Sequence, residues 1–271
     1  MANPLIKLAS VLAPNAVVNF AYKQLTNPQV HKLRPHEQVV LDKAEQERVT
    51  IGSMEIQTYT WRGGNNPVLL VHGWEGQAGN FADLVEALLE RGYTVHAFDA
   101  PSHGYSSKGP TSLFEFGDTV VAMMQRFGAH KLVSHSFGGV ATTYALAQNT
   151  NIEVHRYALL TTPDTFRERI NTVANAVGIT EKVKNKLIDR LELETGLSVD
   201  VMRVSEFVTR VSVNKALILH DKADKVIQAA QSQNVVANWP QASLELIEGT
   251  GHFRILRTTS VHQRVIDFLD S

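Results

Sequence analysis

The feature that most constrains the fold of this 271-residue chain is the segment Ser134–Gly139, which directly follows an apolar run at 131–133. Its third residue, Ser136, has a small residue two positions before it and another two positions after it. A strand that turns sharply into a helix at such a serine needs small neighbours, because larger side chains would collide in the turn. The usual form of this nucleophile elbow is G-x-S-x-G; here Ser134 replaces the first glycine and Gly138 provides the last. The segment therefore predicts a strand, a tight turn that presents the hydroxyl group of Ser136, and a helix.

Two acids and a histidine follow this serine, each after a further apolar run. The run at 215–219 leads to Asp221 and Asp224, and the run at 244–247 leads into the glycine-rich loop that carries His252. A serine hydroxyl is a weak nucleophile at neutral pH, so it needs a base within hydrogen-bonding distance. The order of serine, acid and histidine is the order that this kind of elbow requires of its partners. The chain thus contains a candidate nucleophile, acid and base in the correct sequence.

A candidate oxyanion hole precedes the serine. The apolar run at 68–71 ends in His72, Gly73 and Trp74, where the backbone N–H of Trp74 can face an oxyanion. The second donor is expected to be the N–H of Phe137, because an elbow places the amide after the nucleophile beside the reacting carbonyl. We expect Trp74, Phe137 and Glu75 to contact the substrate, although Glu75 faces either the pocket or solvent.

Four motifs stand in one order along the chain: His72-Gly73-Trp74, the run from Phe98 to Gly104, the elbow at Ser136, and Asp224 followed by His252. From about residue 47 to the C-terminus, the chain resembles the α/β-hydrolase superfamily. The resemblance implies a mostly parallel sheet of about eight strands, helices on both faces, and a helical cap over the site. It also implies an esterase-like serine hydrolase that cleaves small to medium carboxylic esters.

Apolar runs that alternate with helical patterns support the same fold class. The runs are short and continuous, as in strands that are covered on both faces, and such alternation predicts a parallel sheet. Ligands bind beyond the carboxyl ends of such strands. The polar residues at or just after these predicted strand ends are His72, Asp99, Ser136, Asp224 and His252.

The element pattern also divides the chain. We expect a helical N-terminal extension at 1–45 and an α/β-hydrolase core formed by 46–162 and 214–271. Between these two parts of the core the sequence has only helical patterns, so 163–213 are expected to form the cap. The extension is expected to pack on the body, with a partner-binding or membrane-surface role left open.

Neighbouring polar residues receive structural roles. Asp224 is preferred to Asp221 as the acid, and Asp221 is expected at the surface or as a turn cap. His135 is expected behind the elbow, because adjacent residues of a strand point to opposite faces. His72 and His103 are expected to brace the loops around the site.

Composition excludes several classes of function. The chain has no cysteine, which excludes disulfides, thiolate metal sites and a cysteine nucleophile. The net charge is −1 with both signs interspersed, so no nucleic-acid partner is expected. No apolar stretch reaches the length of a membrane span, and no histidine spacing suggests a metal site. We therefore expect a cytoplasmic protein with a small ester-like substrate, no cofactor, no metal and no integral membrane segment, and a homodimer as one option for its oligomeric state.

Several chemistries remain open. A serine at the elbow argues against dehalogenases and epoxide hydrolases, which resemble this fold but use aspartate there. Carbon–carbon bond hydrolases, thioesterases, amidases, perhydrolases and hydroxynitrile lyases retain the serine. A non-catalytic small-molecule binder is the alternative from another class of function.

Overall fold

The computed structural model describes residues 4–271, so the first three residues of the predicted extension lie outside it. The strands are β1 (Glu45–Ile51), β2 (Met54–Trp61), β3 (Pro67–Val71), β4 (Thr94–Phe98), β5 (Lys131–His135), β6 (Glu153–Leu160), β7 (Ser212–Asp221) and β8 (Ala242–Ile247). The α-helices are α1 (Pro4–Leu12), α2 (Pro14–Thr26), α3 (Pro35–Asp42), α4 (Ala82–Glu90), α5 (Leu113–Phe127), α6 (Phe137–Gln148), α7 (Phe166–Val177), α8 (Glu181–Thr195), α9 (Val204–Phe207), α10 (Ala229–Ala237), α11 (Gly251–Arg254) and α12 (Thr259–Asp270).

The eight strands form one sheet in the order β1-β2-β4-β3-β5-β6-β7-β8. The pairs β1–β2 and β2–β4 are antiparallel, and every pair from β4 through β3 to β8 is parallel. The predicted fold class, a mostly parallel sheet of about eight strands, is confirmed. Because β3, β5, β6, β7 and β8 run in one direction, their carboxyl ends meet at one edge, where the candidate site lies.

Two hydrophobic clusters, one on each face of the sheet, form the core. One cluster packs α3, α4 and α12 against the sheet, and the other packs α5, α6 and α10 against the opposite face. The central strands are apolar on both faces for this reason. Within the first cluster, the indole N–H of Trp61 donates to the carbonyl oxygen of Val40, which anchors α3 to the sheet.

A third hydrophobic cluster joins the N-terminal helices to the helices between β6 and β7. Apolar residues of α2 pack against α7 and α8, and the apolar face of α8 is buried there. The buried members from the two sides are Val17, Val18, Ala21 and Leu25 on α2, and Ile170, Val173, Val183, Leu187, Ile188 and Leu191 on α7 and α8. The extension therefore packs on the helical insert, so the two form one layer.

Two boundaries differ from the sequence prediction. β1 begins at Glu45, within the stretch expected to end the extension, because its polar residues form an edge strand that pairs with β2. The helical pattern predicts a helix from residue 225, but α10 begins only at Ala229, since the preceding backbone N–H groups of Val226 and Ile227 bind the Asp224 carboxylate. No helix within residues 4–271 is long and apolar enough to cross a membrane.

Candidate active site

Ser136 occupies a sharp turn between β5 and α6. Its backbone has φ 51° and ψ −123°, a conformation that is costly for a residue with a side chain. The glycines that follow make the turn fit: a Cβ added at Gly138 would lie 2.4 Å from the carbonyl oxygen of His72, and one at Gly139 would lie 2.3 Å from Thr162 Oγ1. Larger residues at either position would push the helix away from the sheet. The backbone has the geometry expected of a nucleophile elbow.

Ser136, His252 and Asp224 lie in hydrogen-bonding contact. Ser136 Oγ is 3.1 Å from Nε2 of His252, and Nδ1 of His252 is 2.9 Å from Asp224 Oδ2. Since the carboxylate accepts, Nδ1 carries the proton and Nε2 is free to accept the hydroxyl proton of the serine. The three residues therefore have the contacts that proton removal from a serine requires.

The carboxylate of Asp224 is buried and fully engaged. Its Oδ1 accepts hydrogen bonds from the N–H groups of Val226 (2.7 Å) and Ile227 (3.0 Å). Burial alone raises the pKa of Asp224, but the hydrogen bond from His252 and those from the backbone outweigh it and hold the pKa below its ordinary value. The side chain is thus a fixed negative charge beside His252.

Asp221 organises the loop that carries His252. Its Oδ2 accepts from the N–H of Gly251 at 2.7 Å and from Thr250 Oγ1 at 2.9 Å, and its Oδ1 accepts from the N–H of Ala223. Only 1% of Asp221 is exposed, so the expectation of a surface position is wrong, whereas that of a turn cap describes these contacts. A terminal strand residue is buried here because the loop after β8 folds back over it.

His72, His103 and Asp99 brace the loop that carries the candidate oxyanion donor Trp74. His72 donates from Nδ1 to the carbonyl oxygen of Gly73 and accepts at Nε2 from the N–H of Ala100. His103 Nε2 accepts from the N–H of Glu75, 3.2 Å away. Burial lowers the pKa of both histidines, so they remain neutral linkers. Asp99 accepts hydrogen bonds from Tyr59 Oη and from the N–H groups of Ala78 and Tyr105.

His135 lies behind the elbow and reaches the loop of His252. Its Nε2 is 2.9 Å from the carbonyl oxygen of His252, which can only accept, so Nε2 is the donor. Burial, and then the neighbouring His252, lower the pKa of His135 to about 3. The ring is therefore neutral and acts as a support for the loop.

The two candidate oxyanion donors flank Ser136. The N–H of Phe137 is the first of helix α6 and so has no partner within that helix. The segment before Trp74 lies close to the serine, since a Cβ added at Gly73 would be 3.1 Å from Ser136 Cβ. Both candidate amides therefore belong to segments that lie next to Ser136.

A cavity of about 510 Å³, here called the catalytic cavity, opens above Ser136 and His252. Trp74, Glu75 and Phe137, the three residues expected to contact the substrate, all line it. Its other walls come from α6, from the helical insert and from the loop before α10. The structure therefore brings Ser136, His252 and the candidate substrate-binding residues to one cavity.

A second cavity of about 210 Å³, here called the side cavity, adjoins the first. The two share Trp74, Phe137, Phe166 and Arg169 as lining residues. The sequence prediction missed Phe166 and Arg169, because they lie on the insert helix α7 and no strand-end pattern marks them. Only the packing of the insert over the sheet brings them to the site.

The described residues contain no group of three or more histidine, aspartate or glutamate side chains arranged to hold a metal ion.

Comparison with known proteins relates the chain to hydrolases. Residues 66–186 match the family described as the alpha/beta hydrolase fold. A pimeloyl-[acyl-carrier protein] methyl ester esterase of Xanthomonas campestris pv. campestris is 35% identical over 104 residues, which are 38% of this chain and 40% of that protein. The abhydrolase domain-containing protein abhd-5.2 of Caenorhabditis elegans is 33% identical over 96 residues, which are 32% of this chain and 21% of that protein. The chain thus spans between about a fifth and two fifths of these curated relatives.

The fold is shared over a longer stretch. A solved structure of an esterase from Pyrococcus furiosus superimposes with a TM-score of 0.66 at 16% identity and covers 91% of this chain and 97% of that one. The match over 66–186, which includes the elbow, and the fold shared with the solved esterase show that this chain has the alpha/beta hydrolase fold.

Proposed function

We propose that the protein is a serine hydrolase that cleaves small to medium carboxylic esters through an acyl-enzyme. The observation that carries this proposal is the line of contacts from Ser136 through His252 to Asp224, with Ser136 held at a positive φ. Supporting it, residues 66–186 match the alpha/beta hydrolase fold family, and a relative that matches part of this chain is named as a methyl ester esterase. No cofactor is required, since the proton acceptor and the nucleophile both belong to the chain.

In the proposed mechanism, Oγ of Ser136 attacks the carbonyl carbon of the ester while Nε2 of His252 takes the hydroxyl proton. Asp224 stabilises the resulting imidazolium through Nδ1. The N–H groups of Trp74 and Phe137 bind the oxyanion of the tetrahedral intermediate. Collapse of the intermediate breaks the bond to the alcohol, which leaves with the proton from His252. Water then attacks the acyl-enzyme, with the same histidine as base, and releases the acid.

The helical insert acts as the cap in this proposal. Its helix α7 contributes Phe166 and Arg169 to the wall of the catalytic cavity, opposite the elbow. A roof of this kind limits the size of the substrate and reduces the access of bulk water to the acyl-enzyme. A cavity of about 510 Å³ suits an acyl chain of modest length.

The proposal is tested with p-nitrophenyl esters from acetate to decanoate. Ser136→Ala should lose nearly all activity, because removal of the serine of such a triad costs on the order of a million-fold in kcat. The matched control is Ser134→Ala, which removes a hydroxyl group two residues away. That hydroxyl is hydrogen-bonded to Tyr157 Oη and takes no part in the proposed proton transfer. This control should keep most of the activity.

Labelling with a fluorophosphonate provides a second measurement. The wild type and the Ser134→Ala variant should react covalently, and Ser136→Ala should not. A folded wild type that neither hydrolyses these esters nor takes up the label would contradict the proposal.

A further inference from the structure

The side cavity contains buried polar atoms that have no partner. Across the part of the chain that the structure describes, five buried side-chain nitrogen or oxygen atoms lack a hydrogen bond. Two of the five, Trp74 Nε1 and Thr111 Oγ1, belong to residues that line the side cavity. Buried polar groups in folded proteins nearly always have partners, so two orphans on residues around one cavity mark it as a candidate site for a polar group.

Arg169 adds a charge at the same place. It projects from α7 and lines both cavities, the only ionisable group among their four shared residues. Its guanidinium lies 5.5 Å from the centre of the Trp74 ring. Within residues 4–271 it forms neither a hydrogen bond nor an ion pair that meets ordinary distance limits. A guanidinium stacked in this way keeps its N–H groups available for an acceptor.

Among the described residues, no carboxylate in contact with this guanidinium offsets the cost of burying its charge. Burial lowers the pKa of Arg169, and the charge of Glu75 opposes that effect without a direct contact. The two acids that line the side cavity have other partners: Glu115 accepts from the N–H of Ser112, and Glu194 accepts from Arg190 at 2.8 Å. Neither acid therefore satisfies Arg169.

Most of the remaining lining residues of the side cavity are apolar. They include Leu25 of α2, Leu113 of α5 and Leu191 of α8. A short hydrocarbon chain that leads from Ser136 would pass Phe137 and Phe166 and reach the guanidinium at the junction of the two cavities. The three donors together match a group rich in acceptors, such as a carboxylate or a phosphate.

We propose that the ester substrate carries an anionic group, a carboxylate or a phosphate, at the end remote from the scissile bond. Arg169, Trp74 Nε1 and Thr111 Oγ1 bind this group in the side cavity. The inference rests on the proposed esterase function, because it places the ester of the same molecule at Ser136. Arg169 is accordingly a specificity-determining residue, whereas the chemical step belongs to Ser136.

The test compares p-nitrophenyl esters that differ only at the far end of the acyl chain. Chains from butanoate to octanoate carry a terminal carboxylate, a terminal phosphate or a terminal methyl group. We expect the wild type to prefer an anionic ester over its methyl-ended analogue at one chain length or more. Arg169→Gln should lower kcat/KM for that anionic ester by about ten- to a hundredfold, mainly through KM. The methyl-ended ester should be affected much less than the anionic one, and fluorophosphonate labelling of Arg169→Gln shows that the variant is folded.

Two further variants sharpen the result. Arg167→Gln removes the same charge two residues away, from a side chain that binds Asp200 and lines neither cavity, and should keep the preference. Arg169→Lys should recover part of the preference, because it retains the charge but not the planar pair of donors. Comparison of the carboxylate-ended esters with the phosphate-ended esters shows which anionic group the side cavity prefers.

A binding measurement separates this inference from the proposed function. Calorimetric titration of Ser136→Ala with monomethyl adipate should show binding that Arg169→Gln abolishes, and methyl hexanoate should bind the same in both backgrounds. If no ester is hydrolysed but this difference appears, the esterase proposal fails and the anion site stands. If esters are hydrolysed without preference for the anionic end, or Arg169→Gln affects anionic and methyl-ended esters equally, the inference is overturned.

Discussion

His135 donates a hydrogen bond from Nε2 to the backbone carbonyl oxygen of His252 across 2.9 Å, and their ring centres are 5.0 Å apart. The residue that directly precedes the candidate nucleophile thus supports the loop that presents the candidate base. This hydrogen bond fixes the position of the loop after β8 relative to strand β5. In the proposed mechanism, a proton passes between these two segments. Small shifts at such a point reduce the rate, because proton transfer depends on the distance between donor and acceptor.

We predict that His135→Phe reduces activity without changing substrate binding. The ring keeps its size but leaves a buried carbonyl without a partner, which costs about 1 to 3 kcal/mol of unfolding free energy. We expect kcat to fall about tenfold while KM stays within about twofold of the wild type. Steady-state kinetics and urea unfolding measure the two effects. His155→Phe, at an exposed histidine, is the control; an unchanged kcat in His135→Phe would show that the support is dispensable.

The stability of the protein should fall steeply in mild acid. Burial lowers the pKa of six histidines, to about 4 for His96 and about 3 for His135. The other four are His72, His103, His220 and His262. Below the ordinary histidine pKa of about 6.5, the unfolded chain binds protons that the folded chain does not, so folding weakens as the pH falls.

Urea unfolding measured between about pH 8 and about pH 4 tests this dependence. Stability should be nearly constant above about pH 7 and decline progressively below about pH 6.5. His135→Phe should reduce the dependence of the unfolding free energy on pH in that window by about 1.4 kcal/mol per pH unit. The variant lacks one histidine that binds a proton in the unfolded chain but not in the folded one. Parallel slopes in the two proteins would mean that His135 is protonated in the folded state.

Asp224 and Asp221 should respond differently to the same substitution. Asp224→Asn removes the charge beside His252 and its control of the tautomer, so kcat should fall by about a thousand- to ten-thousandfold. Asp221→Asn instead weakens the hydrogen bonds to Thr250, Gly251 and Ala223, and should lower the unfolding free energy by about 2 to 4 kcal/mol. Its kcat should stay within about tenfold of the wild type. Kinetics together with denaturant unfolding distinguish the two roles, and a reversed pattern would exchange the assignments.

The part of the fold that could be predicted from the sequence is the part governed by local patterns. Short apolar runs fall on β3 to β8, and helix α6 begins where the elbow motif predicts. Residues at strand ends, such as Ser136 and His252, could be placed together because parallel strands bring their carboxyl ends to one edge. The edge strand β1 was only partly found, since its residues are exposed and lack an apolar pattern.

The residues that shape the substrate cavities could not be found in this way. Arg169 and Thr111 reach the site only because the insert and the N-terminal helices fold over the sheet. That arrangement depends on tertiary contacts among α2, α7 and α8, which helical periodicity does not specify. The burial of Asp221 was missed for a related reason, because it depends on the return path of the loop that carries His252.

Glu75 should weaken the binding of anionic substrates. Its carboxylate lines the catalytic cavity, and its charge acts on Arg169 from beyond contact distance. We predict that Glu75→Gln lowers KM for anionic esters by about two- to fivefold at low ionic strength, since a partly screened like charge has been removed. Methyl-ended esters should show no such change. The decrease in KM should become smaller as salt is added. In an Arg169→Gln background, the decrease in KM that Glu75→Gln still causes measures the direct repulsion between Glu75 and the substrate. An equal gain with neutral esters would mean that Glu75 acts through the shape of the cavity and not through its charge.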